Sequence, residues 1–134
     1  MQSLKDLISQ LQAQGIVPNT QWGKPRNKLR MYYKYGVRKT CTKPAIVYYI
    51  KLELCSGLTL YKIGHTSTSL RLRIAYMELP QGTKVTVLDT VKFTSATKAF
   101  HAEQLLHTYH SKHRYYGPKM LSSGNTELYY KPLE

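Results

Sequence analysis

The sequence predicts a small α/β (α+β) domain: a three-stranded antiparallel or mixed sheet flanked by helices, preceded by an N-terminal helix and a basic arm. Three observations predict it. Two β-branched and aromatic runs, Ala45 to Leu52 and Leu58 to Gly64, flank the turn residues Cys55-Ser56-Gly57 and read as a β-hairpin. Apolar residues recur at helical spacing on both sides of that hairpin. At 134 residues the chain has the length of one domain that can bury a core without disulfides or a structural metal.

The elements follow in order. Residues 3–14 form a helix, with Ser3 as cap and Leu4, Leu7, Ile8 and Leu11 on one face; Gly15 and Pro18 end it. A turn-rich stretch over 18–44 carries Lys24, Arg26, Lys28, Arg30, Lys34, Arg38, Lys39 and Lys43 without a single acidic residue. Trp22, Tyr32, Tyr33 and Tyr35 are interleaved with those charges. The hairpin comes next. A helix over 69–79 is capped by Ser67 or Thr68 and buries Leu70, Ile74 and Met77, with Arg71 and Arg73 flanking that face. Pro80-Gln81-Gly82 breaks the chain, and Lys84 to Phe93 alternates as the third strand. Thr94 or Ser95 caps a helix over 96–112. The tail from Gly117 reads as loop, with one short apolar piece at Leu128-Tyr129-Tyr130. The chain therefore divides into an N-terminal helix and arm, 1–44, and a second unit, 45–134.

Charge narrows the partners. Lys and Arg total 20 against 7 acidic residues, a formal +13, and self-repulsion of that size calls for a polyanion or for solubility. Nucleic acid is the expected partner, because cationic side chains release the counterions condensed on phosphates. Lysines and arginines can hold phosphates while the interleaved aromatic rings stack on bases, although the same rings also suit packing of the arm onto the domain. An anionic membrane calls for a basic amphipathic helix, and the N-terminal helix is not basic. The longest apolar run, Ala45 to Ile50, is far too short to span a bilayer, and no apolar signal core is present at the N-terminus. Cys41 and Cys55 form no C-x-x-C pair, so neither a zinc framework nor a disulfide scaffold is expected. A reducing cytoplasm fits these features.

Phosphodiester hydrolysis needs a carboxylate for a divalent cation, a base for water and a cation for the phosphorane. Acidic residues are scarce. Asp6 and Glu134 are terminal, Glu53 sits near the hairpin turn, Glu78 near a helix end and Asp89 mid-strand. Glu103 instead lies inside the last helix, near the meridian of Ala99, Leu106, His107 and His110. A carboxylate on a partly apolar face is costly unless it is paired or binds metal. Glu127, in the tail, is the second candidate.

These residues carry a resemblance. Val47-Tyr48-Tyr49-Ile50 and Tyr61-Lys62-Ile63-Gly64-His65-Thr66 resemble the two halves of the GIY-YIG endonuclease signature, in a phage-type branch where lysine replaces the second-half tyrosine. Arg73 lies nine residues after Gly64, as the helical arginine of such domains would. Glu103 within Ala99-Phe100-His101-Ala102-Glu103 matches their glutamate; His107 and Arg114 follow, and Gly124-Asn125-Thr126-Glu127-Leu128-Tyr129 resembles the terminal motif. The resemblance covers residues from about 45 to 130. Ile46-Val47 stands where Gly-Ile would be, and Lys62 where a tyrosine would be.

The resemblance implies a GIY-YIG-like fold and a metal-dependent endonuclease that cuts DNA, with RNA not excluded, in a bacterial or phage-infected cell. It implies that Tyr48 activates water, alone or with bound metal. A free tyrosine titrates near pH ~10, so a tyrosine base needs a cation beside it, and Lys62 can supply that charge or hold the scissile phosphate. His65 would relay a proton or hold phosphate, and Arg73 would neutralise phosphorane charge with its planar fork. Glu103 would hold one Mg²⁺ or Mn²⁺. Arg71 and the arm's Lys24, Arg26, Lys28, Arg30, Lys34, Arg38 and Lys39 would bind the nucleic acid.

Bland readings stand beside each of these. Tyr48 shares its parity with Ile46 and Ile50 and suits a packed strand tyrosine; Arg73 suits an ordinary helix surface; Glu103 suits an i+4 pair with His107. Glu103, His107 and His110 could also form a transition-metal site on one helix face. Two further functions are a non-catalytic nucleic-acid-binding module of the same fold and a ribosome-associated RNA-binding protein. The first helix could serve as a homodimer contact through Leu4, Leu7 and Leu11.

Overall fold

A computed structural model of the chain describes residues 2–15, 43–118, 121 and 127–133. The basic, aromatic arm, with Lys24, Arg26, Lys28, Arg30, Lys34, Arg38 and Lys39, lies outside the described residues.

The sheet has four antiparallel strands, one more than the sequence suggests. In chain order they are β1 (Ala45–Glu53), β2 (Thr59–Thr66), β3 (Lys84–Phe93) and β4 (Leu128–Tyr129), in the spatial order β3-β1-β2-β4. β4 comes from the tail that reads as loop. Its two residues pair with Tyr61 and Lys62 along the outer edge of β2, and Tyr115 and Tyr130 extend the joint through backbone bonds to Leu128 and His113. A two-residue strand leaves no alternation long enough to detect in sequence. Its consequence is nevertheless large, because it brings the C-terminal tail beside the hairpin. β1 is central and paired on both sides; opposite β3 its register slips between Tyr49 and Ile50, leaving Leu88 as the extra, exposed residue of a bulge.

Three helices accompany the sheet: α1 (Leu4–Ala13), α2 (Leu70–Tyr76) and α3 (Ala96–Tyr109). Ser3 caps α1 as expected, its hydroxyl accepting the Asp6 amide. Asp89 adds a second anchor, accepting the Leu4 amide at 2.7 Å from mid-β3 and fixing the helix start onto the sheet. Leu4, Leu7, Ile8 and Leu11 are buried with residues of α3 and β1, each contributing at most about 1.5–3 kcal/mol of apolar burial. The face that could have served as a dimer contact is thus covered within the chain. α2 is capped by Ser69 rather than by Ser67 or Thr68; the Thr66 hydroxyl instead accepts the Thr68 amide in the turn before it. It stops at Tyr76, three residues early, because Glu78 takes a left-handed backbone (φ 52°). α3 is capped by Ser95 and gives way after Tyr109 to one 3₁₀ turn, Ser111–His113.

Strand alternation sorts the core into two layers. Ala45, Val47, Tyr49 and Ile63 face α1 and α3, together with Tyr129; Tyr48, Ile50, Leu52, Leu60 and Leu128 pack with Met77, Tyr115 and Leu121, and α2 lays Leu70 and Ile74 on them. The candidate site residues are divided between these layers.

Candidate functional site

Tyr48 and Lys62 meet on the α2 side. Tyr48 lies opposite Gly64, and Lys62 opposite Ile50, so Lys62 reaches Tyr48 diagonally across the β1–β2 ladder. Both side chains are fully buried. Lys62 Nζ donates to Tyr48 Oη at 3.0 Å and to Glu127 Oε1 at 2.5 Å. Burial works against the ammonium, but the Glu127 carboxylate and the Tyr48 oxygen more than offset it and hold the Lys62 pKa above its ordinary value. Lys62 is therefore a fixed cation near neutral pH rather than a base.

Gly64 explains its own place in the motif. A Cβ at that position would fall inside the Tyr48 ring, 2.6 Å from Cζ and nearer still to the hydroxyl. The absent side chain is the space the phenol occupies. The neighbouring Tyr49 points to the other layer, where its hydroxyl accepts the Leu133 amide at 2.7 Å and its ring meets Tyr61. The two adjacent tyrosines thus have distinct settings: one beside a buried cation, the other tying down the C-terminal tail.

His65 and Glu103 meet on the α3 side. His65 Nδ1 stands 3.2 Å from Glu103 Oε2, and His107 Nε2, one turn further along α3, stands 3.9 Å from the same oxygen. Glu103 is 1% exposed, while His65 keeps 23%. Burial alone would raise the Glu103 pKa; the His65 charge and the two imidazoles' hydrogen-bonding capacity outweigh it and hold the carboxyl well below the ordinary carboxylate range. Glu103 Oε1 accepts from Gln104 Nε2 at 3.2 Å, whereas Oε2 has no partner that meets hydrogen-bond geometry. His65 therefore touches Glu103 and not Tyr48.

Glu127 joins the two layers. Besides its pair with Lys62, it offers a carboxylate oxygen within 4.8 Å of ligand atoms of both Glu103 and His107. Two carboxylates and one imidazole suit a divalent cation, and the open valence of Glu103 Oε2 faces this cluster. His110, which the sequence allows as a third ligand on α3, turns away to hydrogen-bond the Lys131 carbonyl at 2.5 Å. Its place in the cluster is taken by Glu127.

Tyr129 and Arg114 stand in the sequence only as parts of the family resemblance, with no role attached, and the structure places Tyr129 against His107 with Arg114 beside it. Tyr129 Oη lies 2.5 Å from His107 Nδ1, and the rings stack with centroids 5.7 Å apart. This hydrogen bond at Nδ1 fixes the ring and turns Nε2 toward Glu103, the arrangement that orients an imidazole ligand. Burial, opposed only in part by the Arg114 guanidinium, raises the Tyr129 pKa and keeps the phenol protonated. Its signal in the sequence is parity: Tyr129 pairs with Tyr61 and so faces α3.

The arginines stand apart. Arg73 lies on α2, partly buried, and among the described residues no ion pair joins it to Glu103 or Glu127; Arg71 is exposed on the same helix. Asn125 lies outside the described residues.

Fold and cluster together define a small basic α+β domain with a polar site threaded through the edge of its sheet. Residues 45–131 of the 134 match the T5orf172 domain, and the chain belongs to that family, one found in phage and bacterial nuclease-like proteins. No curated protein and no solved structure matches the chain. Among the described residues no helix is long and apolar enough to cross a membrane.

Proposed function

We propose that the chain is a metal-dependent endonuclease of the GIY-YIG type that hydrolyses phosphodiester bonds in DNA, with residues 1–44 as its nucleic-acid-binding extension and 45–134 as the nuclease unit. The observation that carries this reading is Glu127, which links the Tyr48–Lys62 pair to the Glu103–His107 cluster. A protein that only bound a polyanion would gain nothing from two carboxylates clustered in a +13 chain, since each repels phosphate unless a cation intervenes.

Roles follow from position. Glu103, His107 and Glu127 would hold one divalent cation, Mg²⁺ or Mn²⁺, which when bound supplies Lewis-acid charge at the phosphoryl oxygens. Tyr48 takes the proton from the attacking water. The Lys62 ammonium donates to that phenol at 3.0 Å and fixes its orientation. The new P–O bond forms as the opposite one breaks, and Arg73 neutralises charge on the phosphorane oxygens. His65 holds the Glu103 carboxylate in place from the sheet side. Arg71 and the arm's basic residues contact phosphates.

Purified protein with Mg²⁺ or Mn²⁺ nicks plasmid DNA, and Glu103→Ala or Arg73→Ala lowers nicking by about 10³-fold while nucleic-acid binding persists. Mn²⁺ raises the thermal midpoint more than Mg²⁺ does, because an imidazole ligand favours the softer ion, and Glu103→Ala abolishes that rise. Wild-type protein that binds DNA yet never cuts with either metal would establish the alternative, a non-catalytic nucleic-acid-binding module of this fold.

A further inference from the structure

The C-terminal end of α3 borders a concavity separate from the carboxylate cluster. It encloses about 290 Å³ and is lined by Tyr109, His110, Lys112, His113, Lys131 and Pro132. No carboxylate is among them. Lys112 and Lys131 are exposed and His113 is half-buried, so the rim is cationic, while the floor is built of rings. His110 is buried there, bonded to the Lys131 carbonyl, with its ring 5.0 Å from that of His113 and 4.8 Å from that of Tyr129.

The ordinary reason for cations at this place is the helix dipole, whose C-terminal end carries about half a negative charge. That accounts for Lys112 and His113, which follow α3 directly. It does not account for Lys131, which arrives from the segment after β4 on the other side of the pocket. Two full charges against about half of one leave the concavity net positive and open to an anion.

We propose that this pocket is a phosphate-holding subsite that grips the nucleic-acid strand beside the cleavage site, with Lys112 and Lys131 on the phosphate oxygens and Tyr109 against the sugar. The proposal rests on the nucleic-acid reading given above. Glu103 and His110 are seven residues apart on and just past α3, about 10 Å at 1.5 Å per residue. At about 3.4 Å per nucleotide along one strand, the phosphate so held lies a few nucleotides from the bond that is cut. The Tyr129 ring stands near both His107 of the cluster and His110 of the pocket, with centroids 5.7 and 4.8 Å away.

The test measures binding of a labelled duplex oligonucleotide in EDTA, across a salt series, so that cleavage plays no part. The paired variant Lys112→Ala/Lys131→Ala is set against Lys5→Ala/Lys98→Ala, which removes the same charge from exposed positions outside the pocket. The pocket pair weakens binding by about tenfold and lowers the salt slope by about 0.9 for each phosphate that is no longer neutralised; the control pair changes affinity less than about twofold. Equal weakening by both pairs, no weakening by either, or a wild type that binds no nucleic acid overturns the proposal. A wild type that binds with the expected split between pairs, yet never nicks with metal, supports the pocket and overturns the nuclease reading alone.

Discussion

The two sides of the sheet solve the same problem in opposite ways. On the α2 side a buried lysine has two close acceptors, a phenol at 3.0 Å and a carboxylate at 2.5 Å. On the α3 side a buried carboxylate is left open, with its nearest imidazoles at 3.2 and 3.9 Å and one oxygen lacking a hydrogen bond. A closed pair rigidifies; an open carboxylate oxygen could take a cation. The difference sets a fixed cation beside the Tyr48 phenol on one side and a carboxylate cluster that could hold a metal ion on the other, and Glu127 is the residue shared between them.

The largest test of that contrast removes Lys62. Breaking a buried pair leaves the partner's charge stranded, so Lys62→Met destabilises the fold by about 3 kcal/mol, read from denaturant unfolding. His65→Ala on the α3 side costs under about 1 kcal/mol, because His65 retains contact with water and Glu103 retains His107. Lys62→Met with Glu127→Gln recovers most of the loss, since a neutral amide no longer needs the ammonium. Equal costs at Lys62 and His65 would erase the distinction between a closed half and an open one.

Gly64→Ala asks how tightly the closed half is built. The added methyl meets the Tyr48 ring, and neither partner has a soft atom to yield, so the variant loses about 2 kcal/mol. Tyr48→Phe keeps the clash, because the ring carbon is already 2.6 Å away, whereas Tyr48→Ala relieves it. A double-mutant cycle therefore gives a large favourable coupling between Gly64→Ala and Tyr48→Ala, and almost none with Tyr48→Phe. Additive losses in both cycles would mean that the ring moves aside.

The hairpin, the third strand and the three helices are legible in sequence because each carries enough period to fix its face. Ser3 and one of the two possible caps of α3, Ser95, are legible for the same local reason. What is not legible depends on pairing at long range. β4 has two residues and borrows its register from β2; the Ser69 cap depends on a turn made by Thr66 and Thr68; the end of α2 depends on the backbone angle at Glu78. The site divides likewise. Tyr48, Lys62, His65 and Glu103 can be named from the family resemblance, but strand parity puts Tyr48 and Lys62 on one side of the sheet and His65, with Glu103, on the other. Glu127 then reconnects them from a segment whose position no local pattern predicts. His110 shows the converse error, since helical spacing places it beside His107 while a backbone carbonyl claims its ring.

Acid exposes the contrast most gently. The α3 side holds the titratable imidazoles, and His110 is the clearest case: burial lowers its pKa, the neighbouring His113 and His107 push the same way, and only the Lys131 carbonyl opposes them. A group whose folded pKa lies below its unfolded value contributes stability that is present above the unfolded value, near 6.5, and is lost as pH falls through the folded one. The protein should therefore lose stability on going from neutral pH to mildly acidic pH, and His110→Gln, which keeps a donor for the Lys131 carbonyl, should lose less over the same interval. Thermal midpoints of the two proteins along a pH series measure the difference. His101, on the same helix and also lowered by burial, adds to the wild-type slope and remains in the variant, so the slope shrinks without vanishing. A variant that tracks the wild type at every pH would mean that the fold leaves the His110 pKa unshifted and that burial on the α3 side costs an imidazolium nothing.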